Sequence, residues 1–265
     1  MKEAPADGTR RGDGDGDDTW LGRALGASWR GLSADTRAHL GRVYANLAAA
    51  SGMAALGASM ALRGSLPAGL GGPAVISVLS SLILLFYVLR PAAPMRFLRH
   101  GALYATGFSQ GWLALPLLRA AVDVDPGLLV SGGVGALVVF ASFSAAALAA
   151  PRRSYLYLGG VLMSLVLLMA LGSLGNLFFH STMFASAELY VGLAVFSLFV
   201  VYDTQVVVER AEQSLALGQR PDDVQHALML FRDLAGVFLR LLLVLVRNRQ
   251  EAERRARSQS RRRRR

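Results

Sequence analysis

Apolar residues run along this chain in long blocks. From Val43 onward, stretches of about 20 mostly apolar residues, the length an α-helix needs to cross a bilayer, recur at short intervals. They predict seven spanning helices, roughly 43–62, 73–90, 97–118, 127–150, 154–178, 186–208 and 224–246. The breaks have local causes: Gly71-Gly72-Pro73, Pro91 with Pro94, Asp125-Pro126-Gly127, Pro151 and the polar stretch before Pro221 all oppose continued helix. Ser33 is placed to cap a short amphipathic lead-in helix ahead of the first span. The connections are too short to hold another domain. The fold class expected is therefore an all-α membrane protein, with a transmembrane helical domain at 31–248 between a disordered acidic segment at 1–30 and a basic disordered tail at 249–265.

Composition agrees with the bilayer as solvent, since 53% of the 265 residues are apolar and only 17% charged. There is no cysteine, so disulfide and thiolate chemistry are excluded. The net charge of +10 points to nucleic acid only until it is located: Arg247 to Arg265 holds ten arginines against two glutamates. The rest is nearly balanced, and no nucleic-acid partner is expected. Residues 1–20 carry six acids and three bases without an apolar core, which fits neither a signal peptide nor a transit peptide.

Charge placement also orients the bundle. With the N-terminus cytoplasmic, the inside segments before residue 224 hold fourteen basic residues and the outside loops only Arg63 and Arg119. Seven full spans then put the arginine-rich tail outside, against the same rule. A re-entrant or displaced last segment resolves that conflict and returns the C-terminus to the cytoplasm.

Candidate chemistry lies in ionisable groups at membrane depth, where a charge costs about 2.5–3.5 kcal/mol on insertion scales. Three qualify: Asp203, Asp233 and Arg240. Asp203 is placed near the cytoplasmic end of the sixth span, and Asp233 a short way into the seventh, which enters from the same side. Gly236, one turn on, leaves room for a neighbour. Two carboxyls in one apolar site do not both ionise cheaply, so a proton held between them makes the pair a pH sensor. The deprotonated pair also attracts calcium, which prefers oxygen ligands. Two separate helix-to-helix hydrogen bonds are the plainer alternative. Arg240 either partners Asp233, whose face it shares, or snorkels outward. Arg90, ending the second span, either latches onto Asp203 through an ion pair or simply anchors its helix. Gly107 and Gly111 have the G-x-x-x-G spacing of close helix packing. His39, His100, His180 and His226 are scattered, without metal-ligand spacing.

Four segments together resemble the Bax-inhibitor family: Arg37-Ala-His-Leu-Gly-Arg-Val-Tyr44, Arg152-Arg-Ser-Tyr-Leu-Tyr-Leu-Gly-Gly160, Glu188-Leu-Tyr-Val-Gly192 leading to Tyr202-Asp203-Thr204-Gln205, and His226-Ala-Leu-Met-Leu-Phe-Arg-Asp233. The resemblance spans roughly 30–248 and is closest to the eukaryotic, endoplasmic-reticulum branch. It implies a seven-helix bundle wrapped around its last helix, a calcium leak from an internal store and protection against stress-induced cell death. It places the family's di-acidic pH sensor on Asp203 and Asp233, and the arginine latch of bacterial members on Arg90. Some members carry a further acid where this chain has Met229.

No cofactor is implied beyond calcium as the transported ion, and the partners expected are the lipid bilayer, calcium and cell-death regulatory membrane proteins. The main alternative is a membrane-embedded regulator that acts by binding other membrane proteins. An enzyme is not expected: Gly57-Ala-Ser59 faintly resembles a serine nucleophile segment, but no histidine falls within a later span to activate it.

Overall fold

The computed structural model describes residues 32–65, 71–89, 96–150 and 158–263. These form α1 (Ala34–Leu62), α2 (Gly71–Leu89), α3 (Arg96–Leu113), α4 (Leu115–Val124), α5 (Gly127–Ala149), α6 (Leu158–Phe179), α7 (Thr182–Ala216) and α8 (Asp223–Arg263). Among the described residues, α1, α5, α6 and most of α7 are long and apolar enough to cross a membrane. Val161, Met163, Leu167, Leu168, Leu171 and Leu174 of α6 are all exposed. A water-soluble domain does not leave such a helix uncovered, and the chain is an integral membrane protein.

The predicted third span is the one that breaks. Ala114 separates α3 from α4, whose first turn carries Pro116 with no amide hydrogen to give. Ser33 does cap a helix, its Oγ accepting from the Thr36 amide at 3.1 Å, but lead-in and span are one continuous helix. No proline lies between Ser33 and Arg63, and the single glycines there do not stop the first turn from propagating. α7 also runs past its predicted end, to Ala216, before Gly218 takes the left-handed conformation (φ 68°) that ends it. Asp203 is consequently well inside α7.

α8 packs against α1, α3, α4, α5 and α7, and its Leu230, Val237 and Leu242 are fully buried. It does not turn back as a re-entrant segment would. His226 meets His39 at one end of the bundle, while Arg249 Nη2 lies 3.5 Å from Asp125 Oδ2 in the α4–α5 turn at the other. At 1.5 Å per residue, Asp223 and Arg249 are about 39 Å apart, enough to span a bilayer. The residues expected to form a disordered tail continue α8 as helix through Arg263. The physical reason is local: the segment lacks Gly and Pro, extends an existing helix without a new nucleus, and carries i,i+4 pairs at Arg247–Glu251, Glu251–Arg255 and Glu253–Arg257.

Candidate functional site: two acids between α7 and α8

α7 and α8 are antiparallel neighbours, joined through Gly218 to Asp222. Asp222 starts α8, its Oδ1 accepting from the amides of Val224 and Gln225, each at 3.1 Å, and it pairs with Arg99 of α3. About 15 Å further along α8 at 1.5 Å per residue, Asp233 is buried and faces Asp203, the two carboxyls within hydrogen-bonding reach of each other. A carboxyl–carboxyl hydrogen bond exists only when one partner carries a proton, and the two acids are placed where one proton can serve both. Asp233 Oδ2 is buried with no hydrogen-bond partner, leaving an acceptor that a proton or a cation satisfies. Arg210 and Arg232 are near enough for their charges to act on Asp203.

The neighbours of Asp203 fix its helix in place. Thr204 Oγ1 is 3.2 Å from Ser144 Oγ of α5, which also bonds the Tyr44 hydroxyl of α1. Gln205 Nε2 donates to the Ala147 carbonyl. The three consecutive residues Asp203, Thr204 and Gln205 therefore bind α8 and, through two contacts, α5, which sets the rotation of α7 and the aim of its carboxylate.

Arg240 is not brought to the acids. Its guanidinium lies 3.8 Å from the centroid of the Phe196 ring, with the Glu188 charge acting on it. Arg90 falls outside the described residues. As a calcium site the pair is incomplete: calcium takes about six to eight oxygens, and no group of three or more acids, histidines or cysteines that holds a metal occurs among the described residues.

Two further contacts lay beyond the sequence reading. His39 and His226 are not scattered: Nε2 of one and Nδ1 of the other are 2.8 Å apart, both rings buried, clasping α1 to α8. Their only advance signal was that each sits near the start of an apolar helix. Beside them, Asp223 Oδ2 accepts from Asn46 Nδ2 at 3.3 Å and lies 3.9 Å from His100. Replacing either histidine of the clasp with alanine removes one buried hydrogen bond and strands the other ring, a loss of about 1–3 kcal/mol. Thermal melting of the purified protein checks this. The double variant is expected to cost less than the two singles added, because one contact is counted twice; additive losses refute the clasp.

A family model described as "Inhibitor of apoptosis-promoting Bax1" matches residues 36–250, most of the chain and every residue of this site. The chain belongs to this family. Among its similar relatives, Bax inhibitor 1 of Drosophila melanogaster is 38% identical over 210 residues, 78% of this chain and 82% of the relative. Bax inhibitor 1 of Homo sapiens is 38% identical over 218 residues, 80% of this chain and 87% of the relative. Bax inhibitor 1 of Arabidopsis thaliana is 35% identical over 218 residues, 82% and 84% of the two chains. Membership of the Bax-inhibitor family thus covers the whole helical bundle rather than one motif, and reaches from animals to plants.

Proposed function

We propose that this protein is a pH-sensitive calcium leak of an internal membrane, most suitably the endoplasmic reticulum, that suppresses stress-induced cell death. The observation that carries the reading is the meeting of Asp203 and Asp233 inside the bundle, two ionisable groups too costly to keep there without a use. A proton shared between them leaves the pair with a single negative charge; its loss leaves two, a site that attracts calcium more strongly. Purified protein in calcium-loaded liposomes tests it: efflux that varies with pH supports the reading, and tight vesicles at every pH overturn it. The relatives' name, Bax inhibitor 1, favours a second reading, a membrane-embedded regulator that binds other membrane proteins. Cell-death suppression that survives loss of the leak selects that one.

The same proposal holds a bundle of seven spans, α3 and α4 together making the third, around α8, with the N-terminus cytoplasmic. Its support is the excess of basic residues on the N-terminal side before residue 224. Because α8 is unbroken, the tail is then expected on the opposite side. In sealed microsomes a protease added outside should remove an N-terminal tag and spare a C-terminal one; removal of both refutes this arrangement.

A further inference from the structure

Beyond the two acids, α7 and α8 meet at a series of levels that leads to the opposite end of the bundle. Past Asp203 and Asp233, the ring of Phe196 lies directly on Gly236. A Cβ at Gly236 would strike that ring, so only glycine admits it. The ring also carries the Arg240 guanidinium over it, and the Arg240 side chain lies against Gly192, again where a Cβ would collide. Next along α7 comes Glu188, whose charge acts on Arg240 and which accepts a hydrogen bond from Ser173 of α6. Glu188 and Ser173, with Asn176, His180 and Ser181, line a cavity of about 290 Å³ at that end. Carboxylates thus stand at two levels of one helix pair, about 22 Å apart along α7 at 1.5 Å per residue, with an aromatic ring between them.

We propose that calcium crosses the bundle along the α7–α8 interface, that Phe196 is the side chain that closes this route, and that Glu188 is the carboxylate at its far mouth. The proposal rests on the calcium-leak reading and deepens it. A cation leaving the Asp203–Asp233 site meets a region where charge is costly, and an apolar constriction there stops ions by excluding water. Phe196 is suited to that role because its ring is held in place by two contacts, one with the Gly236 backbone and one with the Arg240 guanidinium. Arg240 adds a like charge that repels the cation at the same level, tempered by Glu188. Beyond it, Glu188, the Asn176 carbonyl and the hydroxyls of Ser173 and Ser181 offer the oxygen chemistry that calcium prefers.

The test is calcium efflux from liposomes at one fixed pH. Phe196→Ala is expected to raise efflux roughly tenfold over the parent, as removal of a modest barrier does, while Phe196→Leu, which refills the space with an apolar group, stays near the parent. Because the chain has no cysteine, Phe196→Cys gives a single thiol. A small charged methanethiosulfonate reagent should modify it and block the flux. A leaking parent with unchanged efflux in a folded Phe196→Ala, and no effect of reagent on Phe196→Cys, overturns the route and leaves the leak reading standing. Tight vesicles for both the parent and Phe196→Ala overturn the leak reading with it. Should the alanine variant not fold, Glu188→Gln decides: reduced efflux supports the mouth assignment, and parent-like efflux overturns it.

Discussion

Gly111→Leu is expected to be the most damaging single change to the fold, lowering the melting temperature by roughly 10 °C or abolishing the folded protein, the effect of about 3 kcal/mol or more of overpacking in a chain of this size. α1 and α3 touch backbone to backbone. A Cβ at Gly111 would fall on the Ala54 carbonyl, one at Gly107 on the Ala50 carbonyl, and one at Gly57 on the Phe108 carbonyl. Carbonyl oxygens on a helix do not move aside as a flexible side chain does, so the helices must separate. Separation also disturbs Asn46, which α3 holds through the Tyr104 hydroxyl at 3.2 Å. Gly52 on α1 has open space around its Cβ position, and Gly52→Ala is the control, expected to melt like the parent. Equal melting of Gly111→Leu and Gly52→Ala would remove the close-packing account.

The largest functional effect is expected at the acid pair. Asp203→Asn or Asp233→Asn should each abolish the pH dependence of calcium efflux, measured between about pH 5.5 and 8, a range in which buried carboxyls titrate. On the proposed reading the reason is a shared proton. With one acid replaced by an amide of the same shape, the other no longer has a like charge against which its proton is held, and the coupled unit is gone. The double variant should therefore behave as either single does, a non-additivity that two independent acids would not give. The absolute level of efflux is a separate quantity, since it depends on which protonation state is closed. If both single variants keep the pH profile of the parent, the acids are structural.

The two predictions differ in how far they were legible beforehand. The glycine spacing at 107 and 111 was visible as a close-packing motif, and the structure supplied only the partner, α1. The two acids were singled out by cost alone, because the penalty for a charge at membrane depth depends on where it sits in an apolar run and not on its neighbours. The same reasoning missed Glu188, which lies just inside its predicted span and is half-buried against Ser173. The tail was expected to be disordered because it follows the last apolar run and lacks core-forming residues; in the structure the i,i+4 glutamates and the preceding helix carry the turn onward to Arg263.

By itself the amino-acid sequence determined the solvent, the class of fold, most helix breaks and the costly groups, because hydropathy, proline and buried charge act locally and can be summed along one dimension. Which side chains meet was decided only in three dimensions. Each residue turns a helix by about 100°, so partners depend on rotation and depth that no single segment specifies. His39 finds His226 across 187 positions, Asp203 faces Asp233, and Arg240 turns to Phe196 rather than to the acids. Those rotations are set by contacts that admit one register only: the glycine faces of α1 and α3, Gly236 under Phe196, and the hydrogen bonds of Thr204 and Gln205 to α5.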